Sequence, residues 1–156
     1  MKVYRILSNL KIINYIEVKN MNTIINDVHK KIIYNYYLNH YKDNNIANME
    51  YKKLEYVLNN NKNFKLISFG NIVFLLKIEN DDVEFHSMGK EDSVFAFVKD
   101  VHKLINYVKQ MNVKSISSYS NDVVFKKVVK RLNLNIKNEL NAGPDGTTYN
   151  YYKLEF

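Results

Sequence analysis

Four histidines and a loose scatter of acids are the first side chains in these 156 residues to test for acid–base or metal chemistry, since cysteine is absent. His29, His40, His86 and His102 show no metal-ligand spacing, and no HExxH pair occurs among them. His102 falls on an apolar helical stripe and is expected to be a hydrogen-bonded core residue. Without cysteine there is neither a disulfide nor a thiolate site, and the redox compartment stays open. No nucleophile elbow, Walker loop or dinucleotide fingerprint is present.

Charge points weakly toward phosphate. The formal charge is +7, yet only Arg5 and Arg131 among 23 basic residues are arginine. Lysines alternate with acids, as in Lys11 to Glu17 and Lys52 to Glu55, so a solvated surface is favoured over a nucleic-acid groove. No run of 18 apolar residues exists, and Met1-Lys2-Val3-Tyr4-Arg5 lacks the apolar stretch of a signal peptide; no membrane contact is expected. The tyrosines at 34, 36, 37, 41, 51 and 56 are concentrated in the N-terminal helices; some must be core, and a surplus on one surface would suit contact with other proteins.

The elements that must position these residues follow from hydrophobic period. Val3 to Leu7 reads as a strand, and Ser8 or Asn9 caps a helix carrying Leu10, Ile13 and Ile16. Asn22 or Thr23 caps a second helix with Ile24, Ile25, Val28, Ile32, Tyr36 and Tyr37 at helical spacing. Ala47, Tyr51, Leu54, Val57 and Leu58 mark a third, ended by the polar run from Asn59 to Asn63. The period then drops to two: strands at 64–69, 72–78 and 83–88 are joined by turns at Gly70-Asn71 and Asn80-Asp81-Asp82. Asp92 or Ser93 caps a long helix to about Met111, with Val94, Phe95, Val98, Val101, His102, Ile105 and Val108 on one stripe. A strand at 113–119 follows, then a helix at 123–132 with Val124, Val128 and Leu132 inward and Asn133 closing it in the left-handed conformation. Strands at 134–140 and 147–156 flank a turn at Gly143-Pro144-Asp145-Gly146. One α/β domain spanning 1–156 is expected, with a mixed, mostly antiparallel sheet and helices on both faces.

That order, with Val113-Lys114-Ser115-Ile116-Ser117-Ser118-Tyr119-Ser120-Asn121 leading to a helix that ends Lys130-Arg131-Leu132-Asn133-Leu134, resembles the GNAT acetyltransferase superfamily over nearly the whole chain. Within it, the pattern is similar to short GNAT-like proteins of tailed phages, including internal virion proteins. The resemblance implies a coenzyme A pyrophosphate site at the start of the long helix, on a glycine-rich loop whose amides and helix dipole attract phosphate. The matching segment is Ser87-Met88-Gly89-Lys90-Glu91-Asp92-Ser93, so Gly89, Lys90 and Ser93 are the residues that would bind a coenzyme. One glycine remains there, and Glu91 and Asp92 set carboxylates where phosphates would go. The resemblance also implies a tyrosine proton donor, and Val129 stands at that position; Tyr119 is the substitute and Glu84 the general-base candidate.

A non-catalytic GNAT-like protein without a cofactor is therefore expected, a virion or accessory component located in the virion or host cytoplasm and bound to other proteins. The alternatives are an acetyl-CoA-dependent N-acetyltransferase acting on an amine, and a basic nucleic-acid-binding module. A working enzyme requires the two central strands to part near Met88 and Ser117 to admit the pantetheine arm.

Overall fold

The computed structural model describes residues 26–143 and 146–156. The expected strand at 3–7, the helix after Ser8 or Asn9, and the caps at Asn22 and Thr23 lie outside them. Helix α1 (Asp27–Tyr41) is capped by Asn26, whose side chain accepts from His29 N–H at 2.8 Å. Helix α2 (Asn44–Asn60) follows after a left-handed Lys42 and is capped by Asp43. A meander of β1 (Phe64–Phe69), β2 (Ile72–Glu79) and β3 (Asp82–Gly89) comes next. Then come α3 (Val94–Lys109), β4 (Ser115–Ser120), α4 (Val123–Leu132), β5 (Lys137–Ala142) and β6 (Thr148–Glu155). Asn133 takes a left-handed φ of 52°, the expected helix stop.

The six described strands form one sheet in the order β1-β2-β3-β4-β6-β5, antiparallel except where β3 meets β4. Side-chain alternation divides the core between its faces. Ile72, Phe74, Leu76, Val83 and Phe85 pack against α3 and α4, whereas Val73, Leu75 and Met88 pack against α1 and α2. Because β2 is covered on both sides, it reads as an unbroken apolar run.

Several expectations need correction. The inward face of α1 is Ile33 and Tyr37, and Val28 is 66% exposed: the helix is rotated because α2 covers it from one side. On α3 the buried line is Val98, Asp100, Val101, Leu104, Ile105 and Val108, leaving Phe95 at 64% exposure and His102 only half-buried. Phe125, not Val124, leads the buried side of α4. Strand β5 begins at Lys137 and not at 134, since Leu134 and Asn135 are still turning from the helix. Strand β4 begins two residues later than expected, at Ser115.

Candidate functional site

Strands β3 and β4 pair over three residues only, Asp82–Ser115, Val83–Ile116 and Glu84–Ser117. Beyond that point each follows its outer neighbour. Strand β3 stays on β2 as far as Gly89–Ile72, while β4 stays on β6 through Ser118–Tyr152, Tyr119–Tyr151 and Ser120–Asn150. The sheet therefore opens in its middle, between Phe85–Gly89 and Ser118–Ser120. One side-chain bond crosses the base of the opening, from Ser118 Oγ to the Phe85 carbonyl at 3.0 Å. The remaining edge of β3 has no ladder partner among the described residues, an unusual state for backbone amides inside a sheet.

Two helix starts converge there. Phe97 and Phe125, each in the first turn of its helix, have ring centroids 6.2 Å apart, which sets the N-termini of α3 and α4 side by side. Asp122 caps α4, accepting from Val124 N–H at 2.6 Å and Phe125 N–H at 3.0 Å. Asn121 ties the same turn to β6, donating to the Thr148 carbonyl at 2.7 Å and accepting from Asn150 N–H at 3.1 Å. The start of α3 is different: Ser93, a neutral cap, accepts from Ala96 N–H at 3.1 Å, and the first turn holds no acid.

Glu91 does not lie against that helix start. Its Oε1 accepts from Asn71 N–H at 2.5 Å on the β1–β2 turn, and its carboxyl meets that of Asp100 on α3. Burial, then the hydrogen bond and charge of Glu91, push Asp100 up to about 7, with Lys103 offsetting part of the rise. Burial alone would raise Glu91 as well, but hydrogen bonds from Asn71, Asp100 and the Asp92 N–H hold it below the usual carboxylate range.

On the α1 face, a cleft of about 450 Å³ runs beside the end of β3, lined by Ile32, Asn35, Tyr36, Asn39, His40, Asn71, Gly89 and Lys90. The structure thus brings Gly89 and Lys90 into one cavity and leaves Ser93 outside it as a helix cap. Gly89 has φ +108°, and a Cβ there would collide with the Asn71 carbonyl and lie 2.9 Å from Ile32 Cγ2. Only glycine fits.

The residues missed in the sequence are Tyr36 and His86. His86, two residues past the last β3–β4 pair, is 1% exposed, and its Nε2 lies 3.2 Å from the Tyr36 hydroxyl. Burial pushes its imidazole down to about 3, with His40 adding to the effect, so it is neutral at physiological pH. Its Nδ1 is buried without a partner. Burial, helped by the Asp122 carboxylate, raises the Tyr36 phenol well above its ordinary value. A polar pair on two apolar stripes gives no signal of its own in sequence; only the alternation of β3, which turns Glu84, His86 and Met88 to one face, hints at it.

The other candidates divide. Glu84 is half-buried on the α1 face, opposite Lys77 and Ser117. Tyr119 packs on Tyr151 with ring centroids 4.5 Å apart, as a cross-strand pair. Val129 packs against the core cluster of α3 and α4. Among the described residues no three His, Asp or Glu side chains cluster as metal ligands, and no helix is long and apolar enough to cross a membrane.

Solved structures share this arrangement. A probable acetyltransferase from Staphylococcus epidermidis superposes with a TM-score of 0.60 at 15% identity, over 86% of this chain and 95% of that one. Aminoglycoside 6'-acetyltransferase type Ii gives 0.60 at 12% identity, covering 86% and 91%. The PaiA N-acetyltransferase of Thermoplasma acidophilum, solved with coenzyme A, gives 0.57 at 12% identity, covering 90% and 98%. The chain has the GNAT acetyltransferase fold. No protein-family model and no curated protein sequence matches it. At these identities the likeness concerns the GNAT backbone, and the chemistry has to be argued from the side chains above.

Proposed function

We propose that the protein is an N-acyltransferase that takes its acyl group from a coenzyme A thioester and passes it to an amine. The observation that carries this reading is the open edge of β3 from Phe85 to Gly89, lying below an α3 start whose cap is the neutral Ser93 and whose first turn holds no acid. An extended chain bearing amides, such as pantetheine, satisfies such an edge as an added strand does. The α3 amides and dipole suit its phosphates, with Gly89 allowing close approach and Lys90 adding positive charge.

In the reaction an unprotonated amine attacks the thioester carbonyl carbon, the C–N bond forms, the C–S bond breaks, and the proton shed by the amine ends on the thiol. The acceptor enters through the cleft on the α1 face, where Asn35, Asn39 and Asn71 offer donors and acceptors. Neutral His86 holds Tyr36 at the inner end of that path.

Calorimetric titration with acetyl-CoA tests the reading. Binding with Kd below about 1 mM, about −4 kcal/mol, is expected. No heat at millimolar ligand would end it. A second reading, a binding protein that keeps the fold without the reaction, has one observation in its favour: Val129, where the resemblance calls for a proton-donating tyrosine, packs against the core. Ligand binding without acyl transfer to any amine would support it.

A further inference from the structure

Glu91, the acid that the sequence sets in the phosphate loop, is held on the β1–β2 turn instead. A Cβ built on Gly70 would collide with Glu91 Oε1 and lie 2.7 and 2.9 Å from the two Asp100 oxygens, so both carboxyls converge on one glycine. Gly70 has φ +56°, which completes the reason for a residue without a side chain. Asn71 supplies the fixed donors, its N–H to Glu91 Oε1 at 2.5 Å and its Nδ2 to Oε2 at 3.4 Å. Asp100 is 4% exposed, and its Oδ2 is buried with no amide or hydroxyl donor to bind. Two carboxylate oxygens attract only when a proton lies between them. The proton belongs on Asp100, because Asn71 already stabilises Glu91 as the anion.

Resting on the acyltransferase reading, we propose that Asp100 is a positioning residue for the coenzyme's phosphate site. Sharing a proton with Glu91, it latches that carboxylate onto the β1–β2 turn and keeps it off the start of α3. Loss of the proton sets two like charges side by side. Glu91, on a three-residue loop between β3 and the Ser93 cap, then swings to the adjoining α3 N-terminus, where it competes with phosphate. The charged neighbours are Asp92 on the loop, whose N–H also reaches Glu91, and Lys103 on α3, which favours ionised Asp100. The β1–β2 turn contributes neutral Asn71. Coenzyme binding should therefore weaken as pH rises through about 7.

The test measures acetyl-CoA affinity and thermal stability from pH 5.5 to 8.5 for the wild type, Asp100→Asn and Glu91→Gln. Asparagine at 100 keeps a donor toward Glu91 at every pH. The wild-type Kd should weaken by roughly five- to tenfold between pH 6 and 8, the scale of one charge at a helix terminus. Both variants should bind with a Kd that varies much less over that range. The stability of the wild type relative to Asp100→Asn should fall as pH rises from 5.5 to about 7 and level off above that, because below about 7 only the folded state holds the extra proton. Asp100→Asn serves as the conservative rescue, and Glu91→Gln covers the case in which it misfolds. A wild-type affinity that is flat with pH, or one that changes equally in both variants, overturns the latch and leaves the acyltransferase reading standing. Absence of acetyl-CoA binding at every pH in all three proteins overturns both.

Discussion

His86 shows how much one residue's surroundings decide. Free imidazole gains a proton near 6.5, but here burial pushes that to about 3. The unfolded chain therefore binds a proton below pH 6.5 that the folded chain refuses, so stability falls as pH drops from 6.5 toward 3. Replacing His86 with phenylalanine should flatten this acid limb in a thermal-melt series, with the variant losing less stability than the wild type between pH 6 and 4. Tyr36→Phe acts differently. It removes the hydroxyl 3.2 Å from His86 Nε2 and leaves a second buried nitrogen without a partner, at a cost of about 1–3 kcal/mol in urea unfolding. If Tyr36 also sits at the reacting centre, the same variant should lower kcat in an acyl-transfer assay by more than it changes KM.

At the scale of elements, the α3 start is where sequence and structure part most usefully. The residues Glu91-Asp92-Ser93 read as an acidic helix entry, and the dipole argument placed both acids there. Ser93 is the actual cap, and Glu91 is drawn off by Asn71, twenty positions away in sequence. Such a contact depends on where the β1–β2 turn lands after folding, which no local pattern records. The meander, by contrast, was legible almost residue for residue, because strand period and turn residues are local. Ala47, Tyr51, Leu54, Val57 and Leu58 were legible for the same reason, and all are buried. The stripes on α1, α3 and α4 were read correctly at Tyr37, Val98, Val101, Ile105, Val108, Val128 and Leu132 but strayed at Val28, Phe95, His102 and Val124, since periodicity fixes a face only to within the width of one side chain. Ser93→Asp tests the difference between cap and ligand. It should leave the helix as stable or up to about 0.5 kcal/mol more so, judged by melting, while weakening acetyl-CoA binding several-fold.

At the scale of the whole molecule, part of the formal charge of +7 is locally balanced among the described residues. Lys53, Lys77, Lys114, Lys137 and Lys153 each lie within 4 Å of an acid, four of them on the strands or turns of the sheet. Exposed pairs of this kind add little stability, but they cancel the local field that a nucleic acid would need. Duplex DNA binding should therefore have a shallow salt slope, equivalent to fewer than about three phosphate contacts. A steep slope would restore the nucleic-acid reading. The fold class, the element order from α1 onward and the single described sheet were all inferable from pattern, whereas the cleft and the Tyr36–His86 pair arise only when α1 is laid across β3.

The three-residue junction of β3 and β4 also divides the sheet into two parts of unequal mechanical support. Strands β1, β2 and β3 form one ladder and β4, β6 and β5 another; among the described residues they are joined by three residue pairs, by the Ser118 and Ser115 hydroxyls bonding the Phe85 carbonyl and Asp82, and by the Lys153–Asp82 ion pair. Opening along that seam breaks fewer ladder pairs than opening anywhere else between these strands. In native-state hydrogen exchange, the amides of Phe85 to Gly89 that face away from β2 should exchange far faster than those that pair within the β2–β3 ladder. Added acetyl-CoA should slow them selectively. The seam would then be a place where the ligand serves as the missing stitch, and where occupancy sets how rigidly the two halves move together.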